Sequence, residues 1–267
     1  MANIYSIDGT KKGTINLDKL LNYKIREDLI KKTVIVFQAN KRKKYGADKL
    51  AGMRSSAHYH GSSHVYPRAR MAGVERARLP RIHGEGPLLF VARIAPHVVK
   101  GRKAHPPKPE KDWSKNINRK ENKVALISAI AASLNKEIVN KRGHKMEKVK
   151  DYPIIFEDNI ENLEKTKEIF EVLKKFGLED ELNRSKQKKV RAGKGKLRGR
   201  KYKRKKGPII IVSKKCKLQK AARNIPGIDV SIVSQLNVEK LAPGTHIGRL
   251  SVWTESSINY FLDKIKI

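Results

Sequence analysis

The chain has 267 residues, 39% of them hydrophobic, which is enough for a sizeable core and argues against a wholly disordered polymer. Its 61 Lys and Arg face 26 Asp and Glu, a formal charge of +35 whose self-repulsion opposes compactness and points to a polyanionic partner, nucleic acid first. No apolar run approaches the roughly 20 residues of a membrane span, residues 1–8 lack a signal-peptide layout, and the single cysteine, Cys216, excludes an internal disulfide framework and a multi-cysteine zinc site, so a soluble intracellular protein is expected.

In chain order, Ile25, Leu29, Thr33 and Val36 share one face at helical spacing and predict a helix over 24–38. The next stretch has no period. Residues 38–108 hold 16 Lys and Arg against only Asp48, Glu75 and Glu85, with six of the eight histidines and much Gly and Pro. So long a structureless segment inside a compact domain is expected to be functional, because alone it buries too little apolar surface to offset its ordering entropy. As a hairpin, each arm of about 35 residues reaches at most roughly 115 Å, far enough to penetrate a partner. Arg and Lys there suit phosphates, while Gly46, Gly52, Gly61 and Gly73 allow close backbone approach. Tyr45, His58, Tyr59, His60 and Tyr66 can stack on unpaired bases. A plain linker has no need of such charge. His58, His60 and His64 have a spacing seen in metal sites, but no carboxylate or thiolate lies near them, and stacking is the better reading. His83 and Glu85 form no acid/base set.

Asn118 with Glu121 resembles a capping box, and Val124, Ile127, Ala131, Leu134 and Ile138 follow at steps of three and four, predicting a second helix. Trp113, just before it, reads as a packing anchor, as does Trp253. A third helix is expected from Asp158 and Glu161, with Leu163, Phe170 and Leu173 inward and a stop at Gly177. The acidic groups Glu157-Asp158 and Glu179-Asp180-Glu181 read as helix-start features favoured by the macrodipole. Ile154–Phe156, Ile209–Val212, Val230–Val233 and Leu250–Trp253 are short β-branched apolar runs and read as strands.

Between them, 184–206 holds 14 Lys and Arg and no acid, so that this segment and 38–108 together carry +27 of the +35. Its alternating glycine and cation suit a backbone pressed against phosphates. Gly193, Gly195 and Gly199 have the wrong spacing for a dinucleotide loop, and a basic run precedes them where a strand should stand. Cys216, beside Lys214 and Lys215, reads as a small residue at a loop edge. The pattern as a whole predicts an α/β fold, a three-layer sandwich with a mostly parallel central sheet, plus a long extended basic loop. The globular part comprises 1–38 and 109–267, the loop 39–108, and a second basic loop 184–206.

Four segments carry a resemblance to a known family: Ala104–Asp112 (AHPPKPEKD), Arg191–Lys203 (RAGKGKLRGRKYK), Ala221–Val230 (AARNIPGIDV) and Leu241–Ser256 (LAPGTHIGRLSVWTES). In order along nearly the whole chain they resemble archaeal members of the universal ribosomal protein L4 family, uL4. The resemblance implies a non-catalytic structural protein of the large ribosomal subunit, cytoplasmic, that binds 23S rRNA early in assembly; the residues themselves predict no cofactor site and no metal-ligating set. It also implies a loop whose tip, within Met53 to Arg78, helps form the exit-tunnel constriction beside the L22 protein, among other large-subunit proteins, with no membrane and no obligate homo-oligomer. Candidate RNA contacts on the loop are Lys41, Arg42, Lys43, Lys44, Arg54, Tyr59, Arg68, Arg70, Arg76, Arg78, Arg81, Arg102, Lys103 and His105. On the second surface they are Arg191, Lys194, Lys196, Arg198, Arg200, Lys201 and Lys203. Two rivals share the charge pattern: an RNA-modifying α/β enzyme such as a methyltransferase, which needs a ligand crevice at the strands' carboxyl ends, and a nonspecific nucleic-acid chaperone.

Overall fold

The computed structural model describes residues 2–59, 73, 75–82, 86–149 and 151–264. His60, Gly61, His64, Tyr66, Arg68, Arg70, His83 and Glu85 therefore lie outside the described residues. Internal contacts divide the chain into two units, 1–40 with 114–267, and 41–113.

The first unit is built on a six-stranded sheet. Strands β1 (Ala2–Tyr5) and β2 (Lys11–Ile15) form an antiparallel hairpin, followed by the short helix α1 (Asp18–Leu21) and α2 (Glu27–Asn40). After the second unit come α3 (Arg119–Leu134), α4 (Lys136–Lys141), β3 (Ile154–Phe156), α5 (Thr166–Lys175) and α6 (Glu179–Lys186). A separate two-stranded hairpin, β4 (Lys188–Val190) and β5 (Tyr202–Arg204), precedes β6 (Ile209–Val212), α7 (Leu218–Arg223), β7 (Asp229–Ile232), α8 (Val238–Leu241), β8 (Ser251–Thr254) and α9 (Glu255–Lys264). Sheet order is β2-β1-β3-β8-β6-β7, and every pairing except β1 with β2 is parallel.

Successive strand residues point to opposite faces, and in this sheet both faces are covered. Ile4, Ile155, Ile209, Ile211 and Trp253 enter a core with Ile30 and Val34 of α2 and Ile127 and Ile130 of α3. Tyr5, Ile154, Phe156, Ile210, Val212 and Val252 enter a second core with Ile169 and Leu173 of α5, Leu182 of α6 and Leu218 of α7. Helix layer, sheet and helix layer make the expected three-layer α/β arrangement, with Trp253 as a fully buried anchor. Continuous apolar strands are the sequence trace of this double coverage. No helix among the described residues is long and apolar enough to cross a membrane.

Several local expectations change. The predicted 24–38 helix runs over Glu27–Asn40, leaving Ile25 before it. Asn118 makes no side-chain cap, and α3 is buried almost all round from Ala125 to Leu134, which is why small Ala and Ser fill it instead of one apolar stripe. It ends at Asn135, whose Oδ1 accepts from Glu137 N at 2.9 Å to start α4, so Ile138 belongs to the next helix. Asp158–Asn162 is a 3-10 turn, and α5 begins only at Thr166, with Phe170 on its exposed side and Ile169, Val172 and Leu173 inward. Gly177 does end α5: its φ is +78°, its N–H donates to Lys174 O, and Leu178 N–H donates to Leu173 O, a Schellman pair.

The acidic groups are more than helix-start features. Glu161 is buried and accepts from Ser213 N (2.8 Å), Ser213 Oγ (3.0 Å) and Thr254 Oγ1 (2.9 Å). Asp158 receives Ser256 N at 3.0 Å and so caps α9 from a distant segment. Glu181 is fully buried and accepts from His144 Nδ1 (2.7 Å), Lys145 N (3.0 Å) and Arg184 Nε (2.7 Å). Arg184 therefore belongs to the body, although it opens the 184–206 basic run.

Candidate nucleic-acid interface

The basic segment after α6 is a hairpin with no apolar face. Every residue of β4 and β5 is exposed, and paired strands stand within the stretch that the sequence predicts as a basic loop. Arg191 N–H donates to Lys201 O at 2.8 Å, and the Arg191 Nε–H donates to Arg200 O at 3.1 Å. Between the strands, Gly193 and Gly199 both take φ of +74° at the ends of a 3-10 turn, Lys194–Leu197, a conformation that glycine adopts without strain. Lys194, Lys196, Arg198, Arg200, Lys201 and Lys203 are exposed, and Arg191 is half-buried. Lys188 and Lys201 stand 5.0 and 5.6 Å from the Tyr202 ring; neither Lys188 nor Tyr202 is singled out by the sequence pattern.

A polar cluster anchors the base of this hairpin. Arg184 Nη2 donates to Lys206 O at 2.8 Å while its Nε holds Glu181. One step on, the wholly buried Arg249 donates to Gly207 O (2.9 Å), Lys240 O (2.8 Å) and Asp229 Oδ2 (2.6 Å). Burial, with Arg249 and Arg184 close by, lowers Arg142 to about 10, still charged at neutral pH. Burial also lowers His144, while Glu181 stays below its ordinary value because Arg184 and His144 outweigh its own burial. The cluster is thus a neutral imidazole with ionised Glu181 and Arg184.

The second unit is folded by backbone and cation contacts, with its short 3-10 turn Gly86–Leu88 and isolated bridges His58–Arg81 and Arg81–Ala92. Its two arms meet closely: Ala47 N–H donates to Pro107 O at 2.9 Å, and a Cβ on Gly52 would stand 2.5 Å from Gly101 O. A Cβ on Gly46 would strike the Pro109 ring. These glycines serve approach between the protein's own arms. Arg81 donates to Phe90 O and Ala77 O, both at 2.8 Å, and Arg93 to Val99 O at 2.9 Å, so these two guanidiniums brace the segment. Arg54 pairs with Asp48 at 2.6 Å, and Arg76 lies 5.1 Å from the Phe90 ring. Lys41, Arg42, Lys43, Lys44, Arg54, Tyr59, Arg76, Arg78, Arg102, Lys103 and His105 are all exposed.

Near the carboxyl ends of β3, β6 and β8, where an α/β enzyme opens its ligand crevice, Glu161 is buried and tied to Ser213 and Thr254. Burial raises the Cys216 thiol, which lines a cavity of about 600 Å³ with Glu164, Lys215, Lys217 and Lys220 and stays protonated at neutral pH. No group of three His, Cys, Asp or Glu among the described residues is placed to hold a metal ion.

Comparison with known proteins is consistent along the chain. Residues 15–264 match the model of the ribosomal protein L4/L1 family. A protein of Methanococcoides burtonii called large ribosomal subunit protein uL4 is 46% identical, over 96% of this chain and 96% of its own length. Proteins of the same name from Methanosphaera stadtmanae and Halorubrum lacusprofundi are each 40% identical, over 96% and 98% of this chain and 94% and 99% of their own lengths. The chain belongs to the ribosomal protein L4/L1 family.

Proposed function

We propose that this protein is a structural constituent of the large ribosomal subunit, working in the cytoplasm, whose two cationic segments bind 23S rRNA. The observation that carries the reading is the placement of charge. Lys and Arg are exposed along 41–44, 102–103 and 194–203, on segments that contribute no residue to either apolar core. Such cations bind phosphates by displacing the counterions condensed on the nucleic acid, and a braced backbone holds them in register. The body supplies a rigid base, to which Glu181 and Arg184 tie the hairpin. Segment 39–108 enters the rRNA, its tip near the peptide exit tunnel beside the L22 protein, and the protein joins early in assembly.

Filter binding to 23S rRNA fragments over a salt series tests this. Residues 48–106 are replaced by a short glycine linker, which the adjacency of Ala47 and Pro107 permits. In a second variant the hairpin tip between Arg191 and Lys201 is removed. Each lost phosphate contact flattens the slope of log affinity against log salt by roughly 0.7–0.9. Slopes unchanged in both variants would overturn the proposal. The enzyme alternative requires a cofactor where Glu161 sits; saturable binding of an adenosyl cofactor to the purified chain would favour it.

A further inference from the structure

Trp113 closes the second unit, and neither apolar core includes it. Its ring is instead set among cations and a second aromatic. The Arg42 guanidinium carbon is 3.8 Å from the indole centroid and Lys111 Nζ is 4.5 Å from it. Tyr45 lies nearly parallel, 13° between planes and 6.1 Å between centroids, and is 55% exposed. The indole Nε1–H is buried with no acceptor among the described residues. A tryptophan recruited for packing would join a core and satisfy this donor.

The surroundings specify what the exposed Tyr45 ring suits. Residues 41–45 and 108–113 contain six Lys and Arg against Glu110, which pairs with Lys49 at 3.5 Å, and Asp112. A flat π-surface embedded in positive charge is complementary to a flat, polarisable group that carries negative charge on its own backbone, which is the chemistry of an unpaired nucleotide. Resting on the rRNA-binding reading above, we propose that Tyr45 and Trp113 form a stacking site for one unpaired RNA base. Tyr45 offers the open face, Arg42 and Lys111 hold the indole, and Lys43 and Lys44 meet the flanking phosphates.

The test uses the full chain and its tryptophan fluorescence. A short single-stranded oligoadenylate is the probe, and an abasic ribose-phosphate oligomer of equal length is the control. Oligoadenylate quenches the wild type, and the quench is lost in Trp113→Phe, because Trp253 is fully buried in the body. Tyr45→Leu weakens oligoadenylate binding roughly 5- to 150-fold, the range for losing one base–aromatic stack. Tyr45→Phe stays near wild type, and the abasic oligomer binds wild type and Tyr45→Leu alike. Equal affinity of Tyr45→Leu and wild type for oligoadenylate would overturn the site, as would equal binding of the abasic oligomer by the wild type. Quenching by a proline-rich peptide and not by oligoadenylate would overturn it in favour of a protein partner. If the stacking result fails while 23S fragments still bind with steep salt dependence, only this inference falls; if no RNA binds at any salt, the functional reading falls too.

Discussion

Replacing Glu181 by alanine removes a carboxylate of α6 that holds the loop after α4 and, through Arg184, the base of the hairpin. Its oxygens accept from His144 Nδ1 at 2.7 Å, Lys145 N at 3.0 Å, Arg184 Nε at 2.7 Å and Arg184 Nη2 at 2.5 Å, and the side chain has no solvent exposure. The truncation leaves the Arg184 guanidinium, 13% exposed, as a nearly buried charge with Lys206 O as its remaining strong partner, and it orphans the Lys145 N–H. Breaking a buried pair from one side costs about 3–5 kcal/mol. For a domain of this size that lowers the melting temperature by about 6–20 °C. Glu181→Gln keeps the shape and one acceptor and falls between. Thermal and urea unfolding, followed by circular dichroism, give the difference directly. Because Arg184 also holds Lys206 O, the hairpin amides of Arg191 and Lys203 exchange faster in the variant. A loss below about 1 kcal/mol, or unaltered hairpin exchange, would refute the argument that this cluster anchors the hairpin to the body.

Acid should destabilise the body through the same cluster. Burial holds the His144 pKa below its ordinary 6.5, so between that lowered value and 6.5 the unfolded chain binds a proton that the folded chain refuses. Stability therefore falls as pH drops below 6.5, and Glu181, held below 4.5, adds a further loss as pH falls through its own folded value. Urea midpoints at pH 7 and pH 5.5 should differ less in His144→Gln than in the wild type; an identical pH dependence would contradict this. Gly177→Ala should cost about 1–3 kcal/mol, since φ is +78° and a Cβ would meet the Lys148 carbonyl; an unchanged melting temperature would count against the Schellman closure of α5. Excising 48–106 should leave the body melting within a few degrees of wild type, because neither core draws on the described residues of that segment; unfolding of the variant would contradict it.

Residues whose partners are local or whose burial is two-sided were readable. The runs Ile154–Phe156 and Ile209–Val212 form strands at the expected bounds, because a strand covered on both faces must be continuously apolar. Gly177 was equally plain, since a left-handed cap has a local signature. The hairpin of β1 and β2 was not, because β2 is a half-exposed edge carrying Lys11 and Lys12, and its pattern resembles a loop. Four of the six residues of β4 and β5 are Lys or Arg, and the strands are held by their ladder and by glycines at positive φ, with no apolar period to reveal them. Glu161 and Glu181 were hidden for another reason: a carboxylate near a helix start looks like a capping residue until Ser213, Thr254 or His144 arrives from far along the chain, just as Arg249 shows no role until Asp229 does. Trp113 shows the limit most sharply, since only the folded segment brings Arg42, Tyr45 and Lys111 to its ring.

Photocrosslinking inside assembled large subunits tests the central claim most directly. A photoreactive amino acid is placed in turn at Arg198 on the hairpin, at Arg102 on the inserted segment, and at Glu171 on the exposed face of α5, all three being exposed positions. Division of labour between cationic segments and body predicts strong crosslinks to 23S rRNA from Arg198 and Arg102, mapped by primer extension, and few from Glu171. Equal RNA crosslinking from all three positions, or crosslinks from Arg198 and Arg102 to protein alone, would contradict it.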